Sequence, residues 1–342
     1  MQLLIQCSDQ KRRAVQRVVN NIKNRGINFA KEAQKCSFVL EMNLERNLYN
    51  KIITSFITLI ILAIILACNL SNESPSEYNY IHVAHTRIFD TVNQVIDPRM
   101  EKIDYGQFDM VLLGGDLCEE SSKDFSTLEY LDSIFDLNSP TTLWALGNHD
   151  NANLELVEKA TDRARFYNTY HNGITFIVLY TQEKEDWICT ITGKQLEMIK
   201  NVTDTIQHSS HLVVMTHKLI WIKDHPDMKE HQGVKYYDWS CNYAITQNGW
   251  QTEIAPMLQK VEAKGIEVIA LAGDIGNNVS EFEVHADDGI DYLASGTNPE
   301  KKGIKFLHFK HDVETGDLEW RFVPVEQFTA DNQSLDWSRE PE

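Results

Sequence analysis

The chain alternates between short apolar runs of β type and helix-like stretches, and that alternation leaves few folds open to it. The runs are "YIHVA" (80–84), "DMVLLGG" (109–115), "TLWALG" (142–147), "ITFIVLY" (174–180), "HLVVMTH" (211–217) and "EVIALAG" (267–273). Between several of them lie "STLEYLDSIFDL", "GKQLEMIKNVTDTIQ" and "EIAPMLQKVEAKG". Near-continuous Val, Ile and Leu marks strands buried on both faces, and their alternation with helices predicts an α/β domain. The texture then changes. "SEFEVHA", "GIDYLASG", "KKGIKFLHFKHD" and "LEWRFVPV" are short alternating strands, which predicts an antiparallel meander closing the chain. No internal repeat or second compositional zone appears, so one domain over 79–330 is expected, with a tail at 331–342.

Ahead of that domain stands the only long apolar run, "IITSFITLIILAIILA" at 52–67. It follows Arg46 and Lys51, ends at Cys68 and precedes the polar "NLSNESPSEY" (69–78). A basic flank, an apolar core and a small residue before a cleavage point describe a secretory signal. The "IILAC" ending resembles a bacterial lipoprotein signal, in which Cys68 becomes the lipidated first residue. The alternative is an uncleaved membrane anchor. Met42 would start a signal of ordinary length (42–68), so 1–41 is expected to be an extension from a start assigned too early, or else a basic tail. Residues 69–78 are then a tether, and the protein is expected to be exported and lipid-anchored to the cell envelope.

Charge divides the chain in the same place. Residues 1–68 carry ten Lys or Arg against four Asp or Glu, so with a net −18 for the whole, the remainder carries −24. So acidic a domain is a poor partner for nucleic acid, yet can still bind a small phosphate ester at a local cationic site. Past Cys68 only Cys118, Cys189 and Cys241 remain, which excludes a disulfide framework; at most one bridge is possible, and none is expected.

The chemistry-bearing residues directly follow the apolar runs. "VLLGGDL" delivers Asp116, "LWALGNHD" delivers Asn148, His149 and Asp150, "VVMTHK" delivers His217, and "IALAGDIG" delivers Asp274. His85 stands after the first run in "AHTR". In open α/β sheets, chemistry collects at the carboxyl ends of strands. A single Gly-Asp is weak evidence, because it commonly just makes a turn. Five strand ends that each carry a metal-compatible group form a strong series.

The ordered series resembles the calcineurin-like metallophosphoesterase superfamily across 79–325. The resemblance implies a four-layer α-β-β-α sandwich with mixed sheets, divalent metals, and hydrolysis of phosphate mono- or diesters. Position by position, it implies that Asp116 is the central metal carboxylate and that Asn148, His217 and Asp274 are metal ligands. His149 would serve the leaving group and Asp150 would orient His149. This chain departs from the family pattern at both ends. His85 and Arg87 stand where an Asp and a His are usual, and Asp274 and Gly276 stand where two His residues are usual.

The donor mixture suits Mn²⁺, Fe²⁺, Zn²⁺ or Mg²⁺. The expected function is therefore a metal-dependent phosphoesterase working by direct attack of metal-bound hydroxide. It would use one metal with Arg87 as phosphate clamp, or two metals with His85 as a fuller ligand. A catalytically degenerate surface lipoprotein that binds a phosphate, a sugar or a protein partner is the alternative.

Several residues also admit plainer roles. His85 could be a turn histidine, Arg87 could pair with Asp90, and His217 could be a core histidine. Asp116 and Asn148 could cap turns, Asp274 could be structural, and Cys118 is expected to pack behind the site. In the irregular segment 221–250, Trp221, Tyr236, Tyr237 and Trp239 could line a substrate wall or form the loop's own small core, and His225 and His231 could reach the pocket or lie at the surface.

Overall fold

A computed structural model of the protein describes residues 76–183, 189–222, 225–231, 249–275 and 279–328, with isolated positions at Ser55 and Trp337. The expected extension, the signal with Cys68, residues 69–75 of the tether, Tyr236, Tyr237, Trp239 and Gly276 therefore lie outside the described residues, Ser55 excepted. The chain divides into units Met1–Ser74 and Pro75–Glu342, and the second contains every element discussed below. Among the described residues no helix is long and apolar enough to cross a membrane.

The strands are β1 (Glu77–Val83), β2 (Met110–Leu113), β3 (Thr142–Trp144), β4 (Tyr167–His171), β5 (Ile174–Val178), β6 (His211–Thr216), β7 (Glu267–Ala272), β8 (Glu281–His285), β9 (Ile290–Ser295), β10 (Lys305–Asp312) and β11 (Leu318–Pro324). The α-helices are α1 (Phe125–Phe135), α2 (Leu154–Thr161), α3 (Gly193–Thr205) and α4 (Ala255–Glu262). One sheet has the order β11-β10-β1-β2-β3, the other β4-β5-β6-β7-β9-β8. Both are mixed: β1, β2 and β3 run parallel, as do β5, β6, β7 and β9, while the outer pairings are antiparallel.

Successive strand residues divide between two cores, as a period of two requires. Leu112, Phe176, Met215, Leu271 and Phe309 point into the space between the sheets. Val111 and Leu113 pack instead with Leu128, Leu131 and Phe135 of α1. Leu212 and Val214 pack with Ile199 of α3 and Leu258 and Val261 of α4. Each fully buried side chain of this size stabilises the fold by roughly 1.5–3 kcal/mol. The result is an α-β-β-α sandwich, the expected architecture, whose strands read as unbroken apolar runs because both their faces are covered.

Three features differ from the sequence expectation. The closing strands do not form one meander. β8–β9 extends the second sheet with β9 parallel to β7, whereas β10–β11 joins the first sheet beside β1. Alternation reveals which faces are buried but not which neighbour a strand takes. β4, the polar "YNTYH", was not anticipated, although the Asn172–Gly173 turn after it has φ of 50° and 89°, the hairpin signature of an Asn-Gly pair. β1 begins at Glu77, opposite Asp312, so the strand starts within the expected tether. In addition, Cys189 is disulfide-bonded, against the expectation of no bridge, while Cys118 is free and buried.

Candidate metal centre

Parallel strands deliver their carboxyl ends to one rim. His85 and Arg87 follow β1, Asp116 follows β2, Asn148, His149 and Asp150 follow β3, His217 follows β6, and Asp274 follows β7. The first three groups belong to one sheet and the last two to the other, so the rim works only if the sheets nearly touch there. Glycines permit this: a Cβ on Gly114 would lie 2.9 Å from Gly273 Cα and 2.7 Å from the Ala84 methyl. Gly147 is equally constrained, because a methyl group there would run into Asp116 Oδ1 and come within 2.8 Å of His217 Cε1.

The side chains meet around Asp116. His85, Asp116 and Asp274 are buried, and one ligand atom from each lies within 4.8 Å of the others. His217 Nε2 lies 3.4 Å from Asp116 Oδ1 and 3.5 Å from Asp274 Oδ1, and His85 Nε2 lies 3.8 Å from Asp116 Oδ2. Each ring is held from behind by a backbone carbonyl. His85 Nδ1 bonds Thr297 O at 3.0 Å and His217 Nδ1 bonds Gly114 O at 2.7 Å, which turns both Nε2 atoms toward the carboxylates. His85 and Asp116 have φ of 55° and 56°. Non-glycine residues hold such angles at a cost of roughly 1–3 kcal/mol each, and they cluster where surrounding structure imposes them.

The electrostatics suit a cation. Burial raises the Asp116 carboxyl, but His217, His85 and Lys218 outweigh it and hold the group well below the ordinary carboxylate range. Burial lowers the His85 imidazole, which Asp116 and Asp274 only partly offset, so its lone pair stays available. Burial also pushes His217 down, but Asp116 and Asp274 prevail and raise it to about 9. Asp116 Oδ2, Asn148 Oδ1 and His217 Nε2 are buried and lack a hydrogen-bond partner among the described residues. The unsatisfied Asp116 Oδ2 and His217 Nε2, beside His85 and Asp274, fit a divalent ion with mixed oxygen and nitrogen ligands. Binding one would displace the proton that His217 otherwise holds between Asp116 and Asp274.

A second ring of contacts corrects two expected roles. Asp150 does not hold the ring of His149. Its Oδ2 accepts the amides of Asp116 (2.7 Å) and Gly147 (2.8 Å), and its Oδ1 accepts the Leu117 amide at 3.2 Å and the Ser121 hydroxyl. The carboxylate of the "GNHD" stretch thus ties the loop after β3 to the loop after β2. His149 Nδ1 bonds Glu119 O at 2.7 Å instead. Arg87 pairs not with Asp90, which accepts the amides of Val92 and Asn93, but with Glu119. Its Nε also lies 3.9 Å from Asp116 Oδ2, and its guanidinium stacks 4.9 Å above the Phe89 ring.

Sequence reasoning missed Glu119 and Lys218. Lys218 is fully buried and its Nζ lies 2.6 Å from Asp274 Oδ2. The available signal was a lysine directly after His217, at the end of a wholly apolar strand. In the irregular segment, Trp221 belongs to the core rather than to a substrate wall, and His225 is buried rather than at the surface. Trp221 is buried against Trp250 and Tyr292, and His225 is buried against Tyr292 and Asp288. Cys118 packs behind the site as expected, its thiol pushed up by burial and by Asp150.

No curated protein matches the chain. Among solved structures, a dimetal phosphatase from Danio rerio is similar at 11% identity, covering 68% of this chain and 92% of that one with a TM-score of 0.40. The NAD nucleotidase of Haemophilus influenzae is similar at 14% identity over 72% of this chain and 50% of its own, with a TM-score of 0.39. A 5′-nucleotidase precursor from Thermus thermophilus shows 13% identity over 72% and 54%, with a TM-score of 0.35. The assignment rests on the sequence match to calcineurin-like phosphoesterases, which spans 81–296 and includes all five strand ends that form the centre. The protein belongs to the calcineurin-like phosphoesterase family and is a metal-dependent phosphoric ester hydrolase.

Proposed function

We propose that this hydrolase cleaves a phosphate mono- or diester with a single divalent ion, and that Arg87 grips the phosphate. The observation that carries the reading is the surroundings of Asp116 Oδ2, which has His85 Nε2 at 3.8 Å on one side and Arg87 Nε at 3.9 Å on the other. A guanidinium thus stands beside the central carboxylate.

When bound, the ion supplies Lewis-acid polarisation of a phosphoryl oxygen and activation of water near neutral pH. His85, Asp116, Asn148, His217 and Asp274 would hold it. Arg87 offers a planar fork of N–H donors to two phosphoryl oxygens, and its Nε has no hydrogen-bond partner among the described residues. His149 is part-exposed and its Nδ1–H donates to Glu119 O, so in the imidazolium form its Nε2–H can protonate the leaving oxygen, and the ring returns to the neutral Nδ1–H tautomer. Such proton transfer typically contributes about 10²–10⁴-fold. Asp150 acts through Asp116 by fixing its loop. The phosphate is attacked directly, with no covalent enzyme intermediate: the buried Cys118, its thiol raised, is a poor nucleophile. Export and lipidation at Cys68 belong to the same proposal and are supported by the sequence of 42–68; mass spectrometry of the mature amino terminus tests them.

The main test measures Mn²⁺ per chain and turnover of generic phosphomonoesters and phosphodiesters. Turnover abolished in Asn148→Ala and reduced at least 100-fold in His149→Ala supports the assignment. A protein that binds no Mn²⁺ and leaves every ester intact overturns it in favour of a ligand-binding protein.

A further inference from the structure

We infer that Thr297 is a positioning residue of the metal centre, which fixes the ring and backbone of His85 so that Nε2 is the atom presented to the ion. The inference rests on the reading of His85 as a ligand and supplies the means by which a histidine serves where the family has an aspartate. A neutral imidazole carries its proton on one nitrogen or the other, and only the bare nitrogen can bind a metal. A histidine at this place must therefore be held in one tautomer as well as in one orientation.

The other polar atoms of His85 all have partners. Its N–H donates to Gly115 O at 2.8 Å, its carbonyl accepts the Thr297 hydroxyl at 2.8 Å, and Nδ1 bonds Thr297 O at 3.0 Å. Because a carbonyl oxygen can only accept, the proton of the neutral ring lies on Nδ1. Nε2 then keeps its lone pair, 3.8 Å from Asp116 Oδ2. Thr297 makes a further bond through its own N–H, to Ala84 O at 3.2 Å. One residue thus holds both the imidazole and the main chain of His85, whose φ of 55° is a conformation that persists only where surrounding contacts impose it.

The topology delivers Thr297 to this place. β9 runs parallel to β7, so its carboxyl end reaches the same rim, and Thr297 follows two residues later. Between them Gly296 lies against the loop after β7, where a methyl group would run into Ile275 O and come within 2.8 Å of Gly273 O. His85 follows a strand of the first sheet and Thr297 a strand of the second, so their bonds cross the seam between the sheets. Thr297 is fully buried, and its hydroxyl exchanges water for His85 O.

The experiment titrates Mn²⁺ into the purified full chain and into Thr297→Val, which keeps the shape of the side chain and removes the hydroxyl. Affinity is expected to fall about tenfold in Thr297→Val and to stay within about twofold of wild type in Thr297→Ser. In a His85→Ala background, itself weakened, Thr297→Val is expected to cost nothing further, because Thr297 acts through His85. A merely structural residue would weaken binding equally in both backgrounds. Equal losses in both, wild-type affinity in Thr297→Val, or wild-type affinity in His85→Ala each overturn the inference and leave the hydrolase standing. A wild-type chain that binds no Mn²⁺ defeats the proposed function and the inference with it. Should Thr297→Val fail to fold, nitrogen magnetic resonance of the metal-free wild type decides. A proton on Nδ1 of His85 supports the inference, and a proton on Nε2 overturns it.

Discussion

Asp150 Oδ2 accepts the backbone N–H of Asp116 at 2.7 Å, so one metal-motif carboxylate holds the backbone of another. The same side chain takes the Gly147 and Leu117 amides, and all of these groups are buried. Asp150→Ala would orphan three amides at once, at roughly 1–3 kcal/mol for each buried donor. Loss of a buried carboxylate that burial disfavours offsets part of this, so a net loss of about 2–4 kcal/mol in urea unfolding is expected, together with Mn²⁺ binding weakened about 10–100-fold. If stability and affinity both stay at wild-type values, Asp116 keeps its left-handed backbone unaided.

Glu119 competes with substrate for Arg87. Its carboxylate meets the guanidinium at a rim where both side chains are less than one-fifth exposed. Glu119→Gln removes the competing charge and keeps the backbone carbonyl that holds His149. Inhibition by inorganic phosphate is expected to tighten about three- to tenfold, in keeping with a partly screened ion pair. An unchanged inhibition constant would mean that Arg87 does not meet the phosphate.

Gly147 is a steric requirement of the site rather than of the core. Gly147→Ala pushes a methyl group toward Asp116 Oδ1 and His217. The expected outcome is a folded protein with an intact circular dichroism spectrum and Mn²⁺ affinity reduced at least tenfold. Normal affinity in this variant would show that the loop after β3 can retreat without consequence.

Two buried histidines that are not metal-ligand candidates set a pH limit on stability. Burial lowers His82 from 6.5 to about 3, and burial with Arg321 lowers His308 to about 3. The unfolded chain therefore binds more protons than the folded one between these limits. Stability is full above about 6.5 and falls as the pH drops toward 3, by up to ~1.4 kcal/mol per pH unit for each histidine. Urea unfolding at pH 7, 6 and 5 measures the slope. His308→Gln, which keeps a donor toward Asn79, should flatten it, and an identical slope would remove His308 from the account.

The fold was largely legible because burial on both faces writes strands as apolar runs. "VLLGG" and "EVIALAG" could belong to little else. The assignment of β8–β11 to sheets was not legible, because period two does not specify a neighbour. At the site, the residue types at the strand ends were readable, and the structure brings His85, Asp116, His217 and Asp274 together. Their supporting contacts were not readable. That Asp150 serves the Asp116 amide, and that Glu119 serves both Arg87 and His149, depends on how two loops fold back. No local pattern encodes that. Lys218 was overlooked because a lysine after a strand ordinarily points to solvent, and only the depth of β6 shows otherwise.

The near contact of Gly114 with Gly273 has a mechanical consequence. The ligands come from two sheets that meet at this seam, so a captured ion would rivet one half of the sandwich to the other. Tight binding would then demand that the halves already be docked. Loading would in turn raise the melting temperature, by about 1.4 kcal/mol of added stability for each tenfold excess of ion over its dissociation constant. In such a protein the cofactor doubles as a fastener, and stripping it would loosen the whole sandwich as well as silence its chemistry.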